Sequence, residues 1–301
     1  MPKSTERIAG FDWLRVLALG LVLVFHILVL LDRRAWTQFA GMSMGAFGVT
    51  LFLGLSGALI GKDSRPANEW IFARLKKIYP AYWIATILAF FATGISGYKQ
   101  FGVIQFLWQL SGLGLYFAED LINVATWFIG LLLALYLSVY LARKTIYCDA
   151  LLQFFAIGSA ILVMFNASAD YFGNCFAFYG AILAFRTSSP ARSLWMLAIP
   201  CAMLSQLNLE FQSTALVWVL IAMGLGIRSL PKPIAWISRY SYEFYLVHGI
   251  FLVGSLKLLR AQEGGFRSLA AMLIGVVASL AAAIAIQQLS DGFFKRMAAI
   301  S

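Results

Sequence analysis

The chain contains two histidines, and both fall inside long apolar stretches. His26 lies in the run from Phe11 to Leu31, FDWLRVLALGLVLVFHILVLL, and His248 lies in SRYSYEFYLVH. An ionisable side chain within a membrane span is costly enough that function is the first hypothesis. An imidazole, with an ordinary pKa of ~6.5, can take a proton from a hydroxyl during group transfer, so His26 is a candidate general base. The competing reading is a neutral ring hydrogen-bonded to a neighbouring helix. Arg15 precedes His26 by 11 residues. On a helix that spacing places the two within roughly 20° of one another around the axis and roughly 16 Å apart along it. Ser241, Tyr245 and His248 follow an i, i+4, i+7 spacing and share one helix face, a polar stripe that belongs towards a bundle interior.

Three further groups have side chains whose chemistry must be weighed. Arg74, Lys76 and Lys77 form a basic cluster within the connection GKDSRPANEWIFARLKK (61–77). Guanidinium and ammonium groups at a membrane surface suit the phosphates of a soluble donor, although topogenic charge is an equal reading. The same connection is expected to hold a short amphipathic helix, with Trp70, Ile71 and Phe72 facing lipid or protein and Pro80 opening the next span. Ser56-Gly57 permits close helix approach, and Ser56 has no adjacent base that would make it a nucleophile. Cys148, Cys175 and Cys201 are isolated, with no metal-ligand spacing, and read as small buried residues.

The elements that must position these groups are membrane helices. The 301 residues are 61% hydrophobic and only 12% charged, against roughly half and a quarter in soluble domains. Apolar runs occur at about 11–31, 42–61, 78–96, 103–117, 124–142, 150–166, 171–186, 193–207, 212–228, 240–259 and 268–290. The short alternating segments of a transmembrane β-barrel are missing. The 103–117 run is short and carries Gln105, Gln109, Ser111, Gly112 and Gly114. If it does not cross, both termini fall on one side. That side then holds all of the 23 Lys and Arg except Arg33, Arg34, Lys99, Lys257, Arg260 and Arg267. The positive-inside rule therefore predicts about ten transmembrane helices with cytoplasmic termini, and an interfacial or re-entrant segment at 103–117. The net charge of +10 belongs to these loops and not to a nucleic-acid footprint. No cleavable signal peptide, internal repeat, P-loop, GxGxxG, HExxH or GxSxG pattern is found.

In four stretches the chain resembles the acyltransferase family 3 membrane proteins, which O-acylate surface sugars and related acceptors. FDWLRVLALGLVLVFH carries a basic residue, ten residues and a histidine at Arg15 and His26. LFLGLSGALI (51–60) is similar to the family's second-helix motif ending in Ser-Gly. FARLKKIYPAYW (72–83) resembles its basic loop, and ISRYSYEFYLVHGI (237–250) resembles its late Ser-Tyr…Tyr-Leu…His motif. The resemblance implies His26 as catalytic base with Arg15 an essential partner, and acyl-CoA as donor. Arg74, Lys77 and Ser56 are then expected on the donor side, and Trp127, Tyr242, Tyr245 and His248 on the acceptor side. Lys77 stands where the family often has a second arginine, which keeps charge but loses bidentate phosphate geometry. No acid follows Trp127 in ATWFIGLLLALY (125–136), unlike many members.

The expectation is an all-α polytopic membrane protein with a single acyltransferase domain over 1–301 and no appended soluble domain. It moves an acyl group, acetyl above all, from acyl-CoA to a hydroxyl of a cell-envelope polysaccharide or its lipid-linked precursor. Its partners are membrane lipid, the glycan acceptor and acyl-CoA, with no metal and no nucleic acid, and its place is a bacterial plasma (inner) membrane. Two alternatives stay open: an exporter using His26 and His248 in a polar pathway, and an acyltransferase acting on a lipophilic alcohol.

Overall fold

A computed structural model describes residues 8–95, 97, 101–260 and 265–300, without the side chains at 124, 169–170 and 293–300. Lys3, Arg7 and Lys99 lie outside the described residues, as do the side chains of Lys295 and Arg296. Twelve helices account for most of the described chain. They are α1 (Ala9–Leu30), α2 (Met44–Gly61), α3 (Ala67–Ile95), α4 (Val103–Ser111), α5 (Gly114–Phe117), α6 (Trp127–Arg143), α7 (Cys148–Met164), α8 (Ala169–Phe185), α9 (Pro190–Leu204), α10 (Leu209–Gly224), α11 (Lys232–Leu258) and α12 (Phe266–Ile300). A two-residue hairpin, β1 (Gln38–Phe39) with β2 (Met42–Ser43), pairs Gln38 with Ser43 and leads into α2.

Four of these helices are long and apolar enough to cross a membrane: α1, α2, α3 and the Phe266–Gly292 part of α12. Five more, α6 to α10, are apolar but shorter. The chain is therefore an all-α membrane protein. Helix α11 is 27 residues long, so polarity and not length keeps it out of the first group. It is the helix that carries Ser241, Tyr242, Glu243, Tyr245 and His248.

Backbone contacts divide the chain into two compact units. The first comprises Met1–Phe25, Ala35–Ala67 and Ser138–Arg239. Its core centres on α2 packed against α8 and α10, with Leu51, Leu55, Ala58, Ala181, Val217 and Trp218 all buried. Glycines make that approach possible. A Cβ at Gly54 would stand 2.6 Å from Val217 Cγ1, and one at Gly57 would collide with the Phe178 carbonyl. Apolar packing has little drive within lipid, so polar contacts help fix the helix register. Thr50 Oγ1 lies 2.8 Å from Asn174 Oδ1, and Trp218 Nε1 donates to the Ala177 carbonyl at 3.1 Å.

Both ends of α2 are capped. Ser43 Oγ accepts from the Ala46 amide at the N-terminus. At the other end the Arg143 guanidinium donates to the carbonyls of Ile60 (2.9 Å), Asp63 (2.8 Å) and Arg65 (3.3 Å). A residue counted in the sequence as topogenic charge thus binds carbonyls of the helix end and the following turn, that of Ile60 together with the Asp63 amide at 3.1 Å.

The second unit comprises His26–Arg34, Asn68–Leu137 and Tyr240–Ser301. Helix α3 departs from expectation here, because one helix runs from Ala67 through Pro80 to Ile95. Pro80 does not open a span. It sits inside the helix, where it removes one backbone hydrogen bond that surrounding protein makes tolerable. Trp70 is fully buried against the Tyr136 ring, while Phe72 is exposed, so the basic stretch is the first part of the long helix and not a separate amphipathic one.

The 103–117 run is split. Helix α4 ends at Gly112, whose φ of +81° is left-handed and suits glycine, and α5 follows as a single turn. Tyr79, Tyr82 and Trp83, one face of α3, donate to the carbonyls of Ser111 (2.7 Å), Gln109 and Leu110 (2.9 Å), respectively. The aromatic part of FARLKKIYPAYW therefore binds the last carbonyls of α4, of which that of Gln109 also accepts from the Gly112 amide at 3.0 Å. Fully buried Gln109 reaches the Asp120 carbonyl at 3.1 Å, and Thr126 Oγ1 donates to the carbonyl of Asn123 at 2.6 Å. These bonds order the irregular chain ahead of α6.

Candidate active site

Within the second unit His26, near the end of α1, meets His248 in the middle of α11. The His26 Nδ1 and His248 Nε2 atoms are 3.3 Å apart, and the ring centroids are 4.8 Å apart, edge to face. His248 is 1% exposed, whereas His26 is half-buried. The other nitrogen of His248, Nδ1, lies 2.7 Å from the Tyr245 carbonyl oxygen on its own helix. Phe244 lies parallel to the His248 ring, at 6.2 Å and 5°, so the ring is held on more than one side.

Helix α11 is itself held where these residues sit. Asn123 Nδ2 donates to the Leu246 carbonyl at 2.6 Å, two residues before His248. Tyr242 OH donates to the Ile78 carbonyl of α3 at 3.1 Å, close to Pro80. Tyr245 is buried, with its ring 5.3 Å from that of Phe128. Polar side chains and backbone carbonyls, not apolar packing alone, thus fix the rotation of α11.

Arg15 belongs to the first unit. Its Nη1 lies 3.0 Å from Asp12 Oδ1, one turn earlier on α1. Asp12 is 2% exposed, and the same oxygen accepts from Ser238 Oγ at 2.6 Å. A buried carboxylate with two donors gives the Arg15 guanidinium a fixed position at the start of α1. Asp12 and Ser238 were not among the sequence candidates. The i, i+3 spacing of Asp12 and Arg15 was legible, but Ser238 stands 226 residues away from Asp12.

The remaining candidates are distributed as follows. Ser56 is half-buried on α2, in the first unit. In the second unit Arg74 is half-buried and Lys77 exposed, one turn apart on α3. Trp127 opens α6, after a turn of 3-10 helix at Val124–Thr126. Tyr242, Tyr245 and His248 share α11 with one another and, through His248, meet His26. The structure therefore joins the two histidines directly. Two imidazoles are fewer ligands than a metal centre takes, and no group of three His, Cys, Asp or Glu that could hold an ion occurs among the described residues.

A pair of imidazoles in contact, one half-buried and one fully buried, can hold or pass a proton. No curated protein and no solved structure matches the chain significantly. A family model described as an acyltransferase domain does match, over residues 8–287, and so takes in α1, the basic part of α3 and the whole of α11. With its apolar helices and that match over nearly its full length, the chain belongs to acyltransferase family 3 and is an integral-membrane acyltransferase.

Proposed function

We propose that the protein transfers an acetyl group from acetyl-CoA to a hydroxyl of a cell-envelope polysaccharide or its lipid-linked precursor, with His26 as general base. The observation that carries the reading is the contact of His26 with His248, in a chain of this family. His26 takes the proton of the acceptor hydroxyl as the oxygen attacks the thioester carbonyl. The tetrahedral intermediate then collapses, the carbon–sulfur bond breaks, and the thiolate of coenzyme A leaves and takes the proton from His26. Neither metal nor a further redox partner is required for the balance.

Arg74 and Lys77 meet the phosphates of the donor, Arg74 in a planar fork and Lys77 as a point charge. For Ser56 a donor-side role follows from the resemblance of LFLGLSGALI to the family motif. Trp127, Tyr242 and Tyr245 serve the acceptor side. Arg15, held by Asp12, orients the donor. The donor enters from the cytoplasm, with both termini on that face of a bacterial inner membrane. Family membership favours this enzyme over an exporter without covalent chemistry.

The test is transfer of radiolabelled acetyl from acetyl-CoA to membrane glycan by the purified protein in lipid. His26→Ala is expected to lower kcat by roughly 10²- to 10⁴-fold, the usual worth of a positioned acid–base group, with insertion unchanged. Wild-type turnover in that variant excludes His26 as the base. Labelling of a lipophilic alcohol in place of glycan would redirect the acceptor and keep the chemistry.

A further inference from the structure

The contact between the two histidines has a direction, and the direction comes from one atom. The Tyr245 carbonyl oxygen is an acceptor only, so His248 Nδ1, 2.7 Å from it, carries the hydrogen. In a neutral ring Nε2 then carries the lone pair. That lone pair faces His26 Nδ1 at 3.3 Å. Two lone pairs would repel at this distance, so His26 Nδ1 also carries a hydrogen and donates it. The lone pair of His26 is thereby assigned to Nε2, at the opposite side of the ring.

We infer that His248 is a positioning residue that fixes His26 as the Nδ1–H tautomer, so that Nε2 is the atom that accepts the substrate's proton. This rests on the reading of His26 as base and replaces an acceptor-side role for His248. In free histidine side chains the Nδ1–H tautomer is the minor one, so a partner is needed to select it. His248 does so as a neutral acceptor, buried at 1% exposure and stacked on Phe244, with its own tautomer set by the Tyr245 carbonyl. When the hydroxyl proton reaches His26 Nε2, the ring becomes an imidazolium. Its Nδ1–H bond to His248 then strengthens as a charge-assisted bond. When the thiolate leaves, it takes the Nε2 proton back, and the relay returns to its starting state with no net transfer to His248.

The chain's having two histidines makes the test direct. Protein labelled with ¹⁵N-histidine, carrying an affinity tag without histidine, is studied in lipid by solid-state NMR, where protonated and bare ring nitrogens resonate far apart. The expected wild-type spectrum has Nδ1 protonated and Nε2 bare in both rings. His248→Phe keeps a ring but removes the acceptor, and is expected to return His26 to a mixture of tautomers. Its kcat should fall roughly 10²-fold, less than the ~10⁴-fold lost when a charged orienting residue is altered, with KM for acetyl-CoA unchanged. His248→Gln can place an amide oxygen where Nε2 was, and should recover most of kcat. Wild-type His26 protonated at Nε2, or full turnover by His248→Phe, overturns the inference. So does equal loss in the Gln and Phe variants with both folded. The NMR readout needs no substrate. A protein with His26 in the Nδ1–H form that moves no acetyl group upholds the tautomer and sinks the acetyl-transfer reading instead.

Discussion

Single side chains here derive their roles from what their partners can donate or accept. His26 by its type could be a base, a packed neutral ring or a pathway residue. In each of those roles the Tyr245 carbonyl and His248, 2.7 Å and 3.3 Å along the chain of contacts, bear on which of its nitrogens holds hydrogen. Asp12 acts similarly on Arg15. A carboxylate that accepts from Ser238 at 2.6 Å and from Arg15 at 3.0 Å leaves the guanidinium little freedom. Ser238→Ala removes one of those donors and is expected to cost about 1 kcal/mol, within the range for polar contacts in membrane proteins. A thermal melt in detergent measures it. If Asp12 mainly orients Arg15, acyl transfer by this variant should fall further than the melt does, since Asp12 gains freedom to turn. An unchanged melt and unchanged turnover would show that Ser238 is idle.

At the scale of elements, helix ends account for much of the polar chemistry. The last carbonyls of α4 accept from Tyr79, Tyr82 and Trp83, and those at the end of α2 and just after it accept from Arg143. Such bonds matter more where water is scarce, because an unmet carbonyl has no substitute partner. Arg143→Ala should therefore lower stability by about 2 kcal/mol and loosen the 61–66 turn, measured as a lower melting temperature and faster proteolysis at that turn. Arg143→Lys, a single point charge, should recover only part. A variant with wild-type melting would return Arg143 to a purely topogenic role. The same scale shows why α3 departs from expectation. Pro80 reads as a helix start in sequence, because proline suits the first turn and lacks an amide hydrogen. Inside α3 the missing bond is one among many in a 29-residue helix, and Tyr242 OH bonds the nearby Ile78 carbonyl.

For the whole molecule, the asymmetry of charge is the strongest statement about orientation. The basic residues gather on the side that holds both termini when 103–117 does not cross, and that run is broken by Gly112 into α4 and α5. Neither piece approaches the roughly 20 residues of a span. A reporter fused after Ser301 should fluoresce if it is a cytoplasmic fluorescent protein and stay inactive if it is a periplasmic phosphatase. The reverse pattern would invert the proposed entry side of the donor.

The sequence alone determined the class of protein, the position of nearly every helix and the family. These follow from local quantities, namely runs of apolar residues, breaks in them and short motifs such as Arg15 with His26. It also named both histidines, because an ionisable group in an apolar run is visible without a structure. Only the tertiary structure decided that the two meet. They are 222 residues apart, and a contact of 3.3 Å depends on the rotation of α11, which Asn123 and the Ile78 carbonyl hold from other parts of the chain. The partnership of Asp12 with Ser238 was hidden for the same reason. Periodicity gives the face of a helix, but the atom that a face meets is set by the packing of its neighbours.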